Sequence, residues 1–325
     1  MPYSEDILRR ARERLMQARL AHEREQEAHL RIAYERYPRL AEIDRTLRLT
    51  MTQLMAATLR KGEDPAEAVA KIRDKNLALQ QERDWIIDAA DFEEGWLDDA
   101  PLCEKCGGSG YQGAQMCSCL HELCRQEQRL ALANLLGSGK ETFENFRLDV
   151  YPDTYDNDLG TTPRRLMQSN LRMCAKYAQS FTPASGSLLF TGATGLGKTY
   201  MSACIARQVI DRGYGIVYDT ATHLFADFEA EKFGAEHEEE HKRTRKYFEC
   251  DLLIIDDLGT ELTTQFTISV LYDLVNTRMM ENRATIISTN MEDREFERRY
   301  SPQIASRVIG TYRLVQFAGD DIRRQ

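Results

Sequence analysis

Hydrophobic positions change their period along this chain. From about Ser4 to Arg60 the sequence is dense in Arg, Glu, Leu and Ala, and Ile7, Leu8, Leu15, Leu20, Leu30, Ile32, Leu40, Ile43, Leu47 and Leu49 recur at approximately helical intervals. The pattern predicts long amphipathic helices with a break near Tyr37-Pro38, where proline removes a backbone donor. Gly62-Glu63-Asp64-Pro65 reads as a turn and helix start, and Ala66 to Ala90 as a further helix carrying Val69, Ile72, Leu77, Leu79, Trp85 and Ile86. An antiparallel helical hairpin would bury both stripes. A helix around Leu123 to Leu136 follows, with "TFENFRLDVYPD" (142–153) leading out of it. Beyond it, short apolar runs at Ser187 to Thr191, Gly215 to Asp219, Leu252 to Asp256 and Ala284 to Thr289 alternate with helical ones, and Tyr312 to Phe317 supplies one more strand. Such alternation predicts a parallel α/β sheet with crossover helices.

Composition adds limits to this picture. The chain has 325 residues, 42% hydrophobic and 29% charged, enough for more than one core. No apolar run approaches the roughly 20 residues of a membrane span, and the opening MPYSEDILRRARERL mixes charge with apolar positions. A cytoplasmic protein with no membrane partner is expected. The net charge of -9 argues against a chain that wraps nucleic acid as a histone does, while leaving a local basic groove open.

Four of the eight cysteines crowd into "CEKCGGSGYQGAQMCSCL". Cys103 and Cys106 have C-x-x-C spacing on a glycine-rich turn, and Cys117 and Cys119 follow as C-x-C. Thiolates at this spacing can close a tetrahedral, structural Zn²⁺ site, with His121 or Cys124 as alternatives for one ligand. An iron–sulfur centre and free thiols are the competing readings. The cysteines Cys174, Cys204 and Cys250 lie in apolar surroundings and read as core.

The strongest chemistry lies in Gly192-Ala193-Thr194-Gly195-Leu196-Gly197-Lys198-Thr199, a full G-x-x-x-x-G-K-[ST] phosphate loop between a strand-like and a helix-like run, with Tyr200 next in line. The glycines allow a tight turn at a helix N-terminus, Lys198 reaches β- and γ-phosphate oxygens, and Thr199 offers its hydroxyl to Mg²⁺. In "DLLIIDDLG" an apolar strand ends in two carboxylates: Asp256 is the expected Mg²⁺-side group and Asp257 stands where a water-activating base belongs. The next strand, "ATIISTN", ends in Asn290, which would sit beside the γ-phosphate if the strands are neighbours.

With "GATGLGKTYMSACIA", "DLLIIDDLGTE", "LYDLVNTRMMENRATIISTN", "IASRVIG" and "FAGDDIR" together, roughly residues 143 to 325 resemble the bacterial DnaC/DnaI-type helicase loaders and the related IstB-type transposition ATPases of the AAA+ class. The resemblance implies an AAA+ P-loop core at 151–325; the residue patterns before it are read as an α-helical partner-binding or self-association region (1–100), a zinc module (101–125) and a linker (126–150). It implies an ATPase using ATP and Mg²⁺, with Asn290 reading the γ-phosphate and Arg307 inserted as an arginine finger into a neighbouring subunit's site. Arg278, read as a solvated surface residue, is the weaker finger candidate, and Arg323 the nearest phosphate-side arginine. Asp257 in place of glutamate implies slow hydrolysis.

The partners implied are a replicative DNA helicase, single-stranded DNA and further copies in an AAA+ oligomer. The acidic block Glu236 to Glu240 and the basic block His241 to Lys246 read either as a solvated, internally paired helix or, as the resemblance implies, as a DNA contact through Lys242, Arg243, Arg245 and Lys246, with Phe233, Tyr247 or Phe248 stacking on bases. The competing functions are a transposition helper acting on duplex DNA and a zinc-stapled adaptor that holds nucleotide without hydrolysing it.

Overall fold

In the computed structural model, residues 3–50, 52, 65–93, 95–97, 100–137, 139–233 and 243–324 are described. The expected turn at Gly62 to Asp64, the acidic block Glu236 to Glu240, His241 and Lys242 lie outside them. The chain divides into two compact units, residues Met1–Glu13 with Met116–Gln325, and Arg14–Gln115.

Helix α1 (Glu5–Arg36) contributes to both units in sequence. Ser4 opens it, accepting the Ile7 amide on its hydroxyl, and Glu5 and Asp6 place negative charge in the first turn. Proline at the start of α2 (Pro38–Arg48) ends the run where expected. In the unit of residues 14–115, α2 faces α3 (Pro65–Ala89) through the Arg39–Glu82 and Arg83–Asp44 ion pairs, with Leu40 and Ile43 buried. His29 and Phe92 stack on Trp96. The expected α3 stripe is corrected: Ile72, Leu79 and Ile86 are half-buried, whereas Val69, Leu77 and Trp85 face solvent, Trp85 at 70% exposure.

A two-stranded turn, β1 (Tyr111–Gln112) with β2 (Gln115–Met116), precedes α4 (Ser118–Leu136), which ends on Gly137 in the left-handed region. Helix α5 (Pro163–Gln179) is capped by the Thr162 hydroxyl. Next come β3 (Leu188–Thr191), α6 (Lys198–Asp211), β4 (Ile216–Thr220), α7 (Ala221–Phe233), α8 (Arg245–Glu249), β5 (Leu252–Leu258), α9 (Gln265–Met280), β6 (Ala284–Thr289), α10 (Asp293–Tyr300), α11 (Pro302–Thr311) and β7 (Arg313–Gln316).

The five strands β3 to β7 pair in parallel in the order β4-β5-β6-β3-β7. Their side chains alternate between two cores. Leu252, Ile254, Ile286, Leu188 and Phe190 pack with α5 and α6, while Leu253, Ile255, Ile287 and Leu189 pack with α7, α9 and α11. Burial on both faces explains why the strands read as continuous apolar runs. All five expected strands are present within a residue or two of their expected ends. No helix of the described residues is long and apolar enough to cross a membrane.

Two sequence expectations fail inside this core. Arg278 is fully buried, not solvated. Its guanidinium donates to the carbonyls of Tyr247, Phe248, Cys250 and Ala284 and to the Thr285 hydroxyl, so it serves as an internal brace. Tyr247 is likewise fully buried, its hydroxyl shared between Asp219 and Asp227, and is closed to base stacking.

Candidate nucleotide and metal site

The C-terminal ends of β3, β5 and β6 meet at one edge of the sheet, because β6 lies between the other two. There the phosphate loop leaves β3 and enters α6, with Gly192, Gly195 and Gly197 all at positive φ. A Cβ on Gly192 would stand 2.3 Å from the Phe317 carbonyl oxygen, and one on Gly195 would meet the Asp321 carboxylate at 1.9 Å. Only glycine fits these two turns.

The loop opens on a cleft of about 570 Å³. Thr194 to Tyr200, Asp257, Thr260, Asn290 and Arg323 line one part of it. Phe146, Val150, Tyr151 and Ile322 form an apolar wall, Phe146 lying edge-on to Tyr200 at 5.6 Å. A polar cradle beside an aromatic wall suits a nucleotide: phosphates at one end and a base at the other.

Lys198 Nζ donates to the carbonyls of Gly192 and Ala193, each at 2.7 Å, and to Asn290 Oδ1 at 2.5 Å. Burial pushes its pKa down, opposed by Asp257 and Asp256. Asp257 is shifted up by burial and by the neighbouring Asp256 charge, against Lys198 and Arg323. Asp256 is buried at the end of β5, its Oδ2 accepting from the Tyr218 hydroxyl at 3.0 Å. Tyr218 also lies 3.5 Å from the Thr199 carbonyl, so the two oxygen-bearing residues expected to hold Mg²⁺ flank one tyrosine. A hydroxyl and a carboxylate are hard oxygen donors, and this set fits Mg²⁺.

Arg307 is not among the residues lining the cleft. It projects from α11, where its guanidinium donates to Asn276 Oδ1 and the Tyr272 hydroxyl and lies 4.7 Å from the Tyr272 ring centre. The structure thus brings together the phosphate loop, Asp256, Asp257, Asn290 and Arg323, and leaves Arg307 on another surface. Of the basic block, Arg245 pairs with Glu249 and Lys246 with Asp227. Phe248 is partly buried, and Phe233 is 71% exposed.

The ligand atoms of Cys103, Cys106, Cys117 and Cys119 lie within 4.8 Å of one another. Four thiol sulfurs that close fit a tetrahedral zinc site. His121 Nδ1 is engaged by the Tyr3 hydroxyl, and Cys124 is buried with its thiol pushed up to about 11, first by burial. Sequence reading missed Phe146, Tyr151, Tyr218 and Ser288. The aromatics stand in "TFENFRLDVYPD", whose alternating bulk was the available signal, whereas nothing local marks Tyr218 or Ser288.

A parallel sheet of this order, with its glycine-rich loop, two acids and a polar strand end, defines a P-loop ATP-binding protein of the AAA+ class. The family model described as "IstB-like ATP binding protein" matches residues 154–324, more than half of the chain. The chain belongs to that family. Among similar proteins, the replicative helicase loader DnaC of Buchnera aphidicola subsp. Acyrthosiphon pisum is 22% identical over 205 residues, 62% of this chain and 80% of that protein. A putative insertion sequence ATP-binding protein of Sinorhizobium fredii is 28% identical over 225 residues, 67% of this chain and 68% of that protein. A crystal structure of the DnaC helicase loader matches 54% of this chain and 98% of its own, at 18% identity and a TM-score of 0.44.

Proposed function

We propose that this protein is a helicase loader, which binds ATP with Mg²⁺, contacts single-stranded DNA and delivers a replicative helicase. ATP hydrolysis is slow and gated by assembly. The carrying observation is the division of the site: Thr194 to Thr199, Asp257 and Asn290 line one cleft, with Asp256 buried next to Asp257 and held by Tyr218, whereas Arg307 is displayed elsewhere on α11. An arginine so placed serves a neighbouring copy's phosphates, where a planar guanidinium offsets charge developing on the transferring group.

In this reading Lys198 and Asn290 hold the γ-phosphate end, Thr199 and Asp256 hold Mg²⁺, and Asp257 orients the attacking water. The domain assignment rests on the same reading, with residues 1–100 as partner-binding region, 101–125 as zinc module, 126–150 as linker and 151–325 as ATPase. Single-stranded DNA is met by exposed Phe233 and neighbouring Lys232, whose ammonium lies 4.5 Å from the Phe266 ring centre. The similarity to a DnaC loader over four-fifths of its length supports delivery of a helicase. The similarity to an insertion-sequence ATP-binding protein favours a second reading, a transposition helper acting on duplex DNA.

The test is ATP turnover by wild type and Arg307→Ala, each with and without single-stranded DNA, alongside mass measurement in ATP. Loss of turnover in the variant with ATP binding retained supports composite sites. Equal turnover in both overturns the assembly-gated mechanism. Co-purification with a hexameric helicase or with a transposase then separates the two readings.

A further inference from the structure

We propose that Ser288 is a positioning residue that sets both acidic groups of the ATP site through a bulge in β5; the inference rests on the ATP-hydrolysis reading above. The register between β5 and β6 pairs Ile255 with Ile287 but Leu258 with Thr289. Two residues of β5, Asp256 and Asp257, therefore stand opposite the single residue Ser288. In an unbroken strand successive side chains point to opposite faces, so one aspartate of an adjacent pair would be carried away from the cleft. An inserted residue bends the strand and re-aims the side chains around it. Asp257 accordingly takes φ 55°, in the left-handed region that L residues seldom adopt.

A bulge also leaves a ladder N–H without its strand partner, and here the Asp257 amide donates to Ser288 Oγ at 2.8 Å. That bond decides the direction of the next one. With Oγ accepting from the amide, the single hydroxyl hydrogen is directed to Asp256 Oδ1. Tyr218 from β4 donates to the other oxygen, Oδ2, at 3.0 Å. The two neighbouring strands thus grip one oxygen each and fix the rotation of the Asp256 carboxylate. Two residues beyond Ser288, Asn290 accepts from Lys198. Ser288 itself is fully buried and does not line the cleft, so it acts only through the aspartates.

The experiment compares wild type, Ser288→Ala and Asp256→Asn. Mn²⁺ is titrated by EPR into protein saturated with a non-hydrolysable ATP analogue, and turnover is measured against Mg²⁺ concentration. Removing a hydroxyl that donates to a charged carboxylate is expected to weaken Mn²⁺ binding about tenfold and to lower kcat by a similar factor. Affinity for the analogue in EDTA should stay at its wild-type value, a split that general loss of structure would not give. Wild-type Mn²⁺ affinity and turnover in folded Ser288→Ala overturns the proposal. If Ser288→Ala does not fold, Ser288→Cys, close in volume with a weaker donor, is judged by the same two readouts. Wild type that binds Mn²⁺ no better than Asp256→Asn sinks the ATP-site reading itself, and is distinguishable because that comparison does not involve Ser288.

Discussion

Replacing Arg278 tests whether a fully buried cation in the middle of an ATPase core is a brace or a catalytic group. Its guanidinium donates at 2.6 to 3.1 Å to four backbone carbonyls, those of Tyr247, Phe248, Cys250 and Ala284, and at 2.9 Å to Thr285 Oγ1. Three of those carbonyls close the C-terminal end of α8 and the entry to β5, where a positive charge also meets the negative end of the helix. Arg278→Ala leaves the carbonyls buried without donors, at about 1 kcal/mol or more apiece, and adds a cavity; the expected destabilisation is about 4–6 kcal/mol. Arg278→Lys recovers only part, because a compact ammonium has three donors and cannot span the carbonyls at the end of α8 together with that of Ala284 on β6.

Hydrogen exchange across Leu252–Leu258 and Ala284–Thr289, with urea unfolding followed by circular dichroism, reads this locally and globally. Opening free energies for β5 and β6 within about 1 kcal/mol of wild type in Arg278→Ala would refute the brace, since a single retained carbonyl bond accounts for that much. Arg307→Ala is the contrast. Its side chain is half-buried on a helix surface, so its folding free energy should stay within about 0.5 kcal/mol of wild type.

Gly197 sits at φ 87°, and a Cβ placed there would stand 2.9 Å from the Tyr151 hydroxyl, so Gly197→Ala should lose about 1–2 kcal/mol of stability and weaken ATP binding, read by melting and nucleotide titration. Asp251 is raised above its ordinary 3.8, chiefly by burial, although Gly215 N–H donates to it. A carboxyl raised on folding contributes stability in its protonated form that is lost as pH rises through the interval above 3.8. Asp251→Asn should therefore be more stable than wild type in urea at neutral pH and equal to it in acid below that interval. Double replacement of Cys103 and Cys117 by serine should abolish bound zinc, which wild type should hold at about one ion per chain by elemental analysis.

How far the sequence reached depends on whether each feature is local. The phosphate loop was legible because its glycines, lysine and threonine are required at fixed spacing, and the strands because burial on both faces writes itself as unbroken apolar runs. The α3 stripe misled for a geometric reason. Residues eight apart, such as Val69, Leu77 and Trp85, drift about 80° around a helix at each step and cannot share a face, whereas Ile72, Leu79 and Ile86, seven apart, drift about 20° and keep one. Arg278 and Tyr247 were misread because their polar atoms are satisfied by residues about 20 to 30 positions away, Asp219 for the tyrosine and the Tyr247 to Cys250 carbonyls for the arginine, and no local pattern announces such partners. Ser288 lies furthest from sequence view. Its significance exists only because β5 carries one extra residue against β6, and that shift is a property of two strands paired about 30 positions apart. The groups a motif can name are those that must be of one residue type; the groups that aim them can be any small donor in the right register, so the aiming half of the site becomes visible only when the strands are laid side by side.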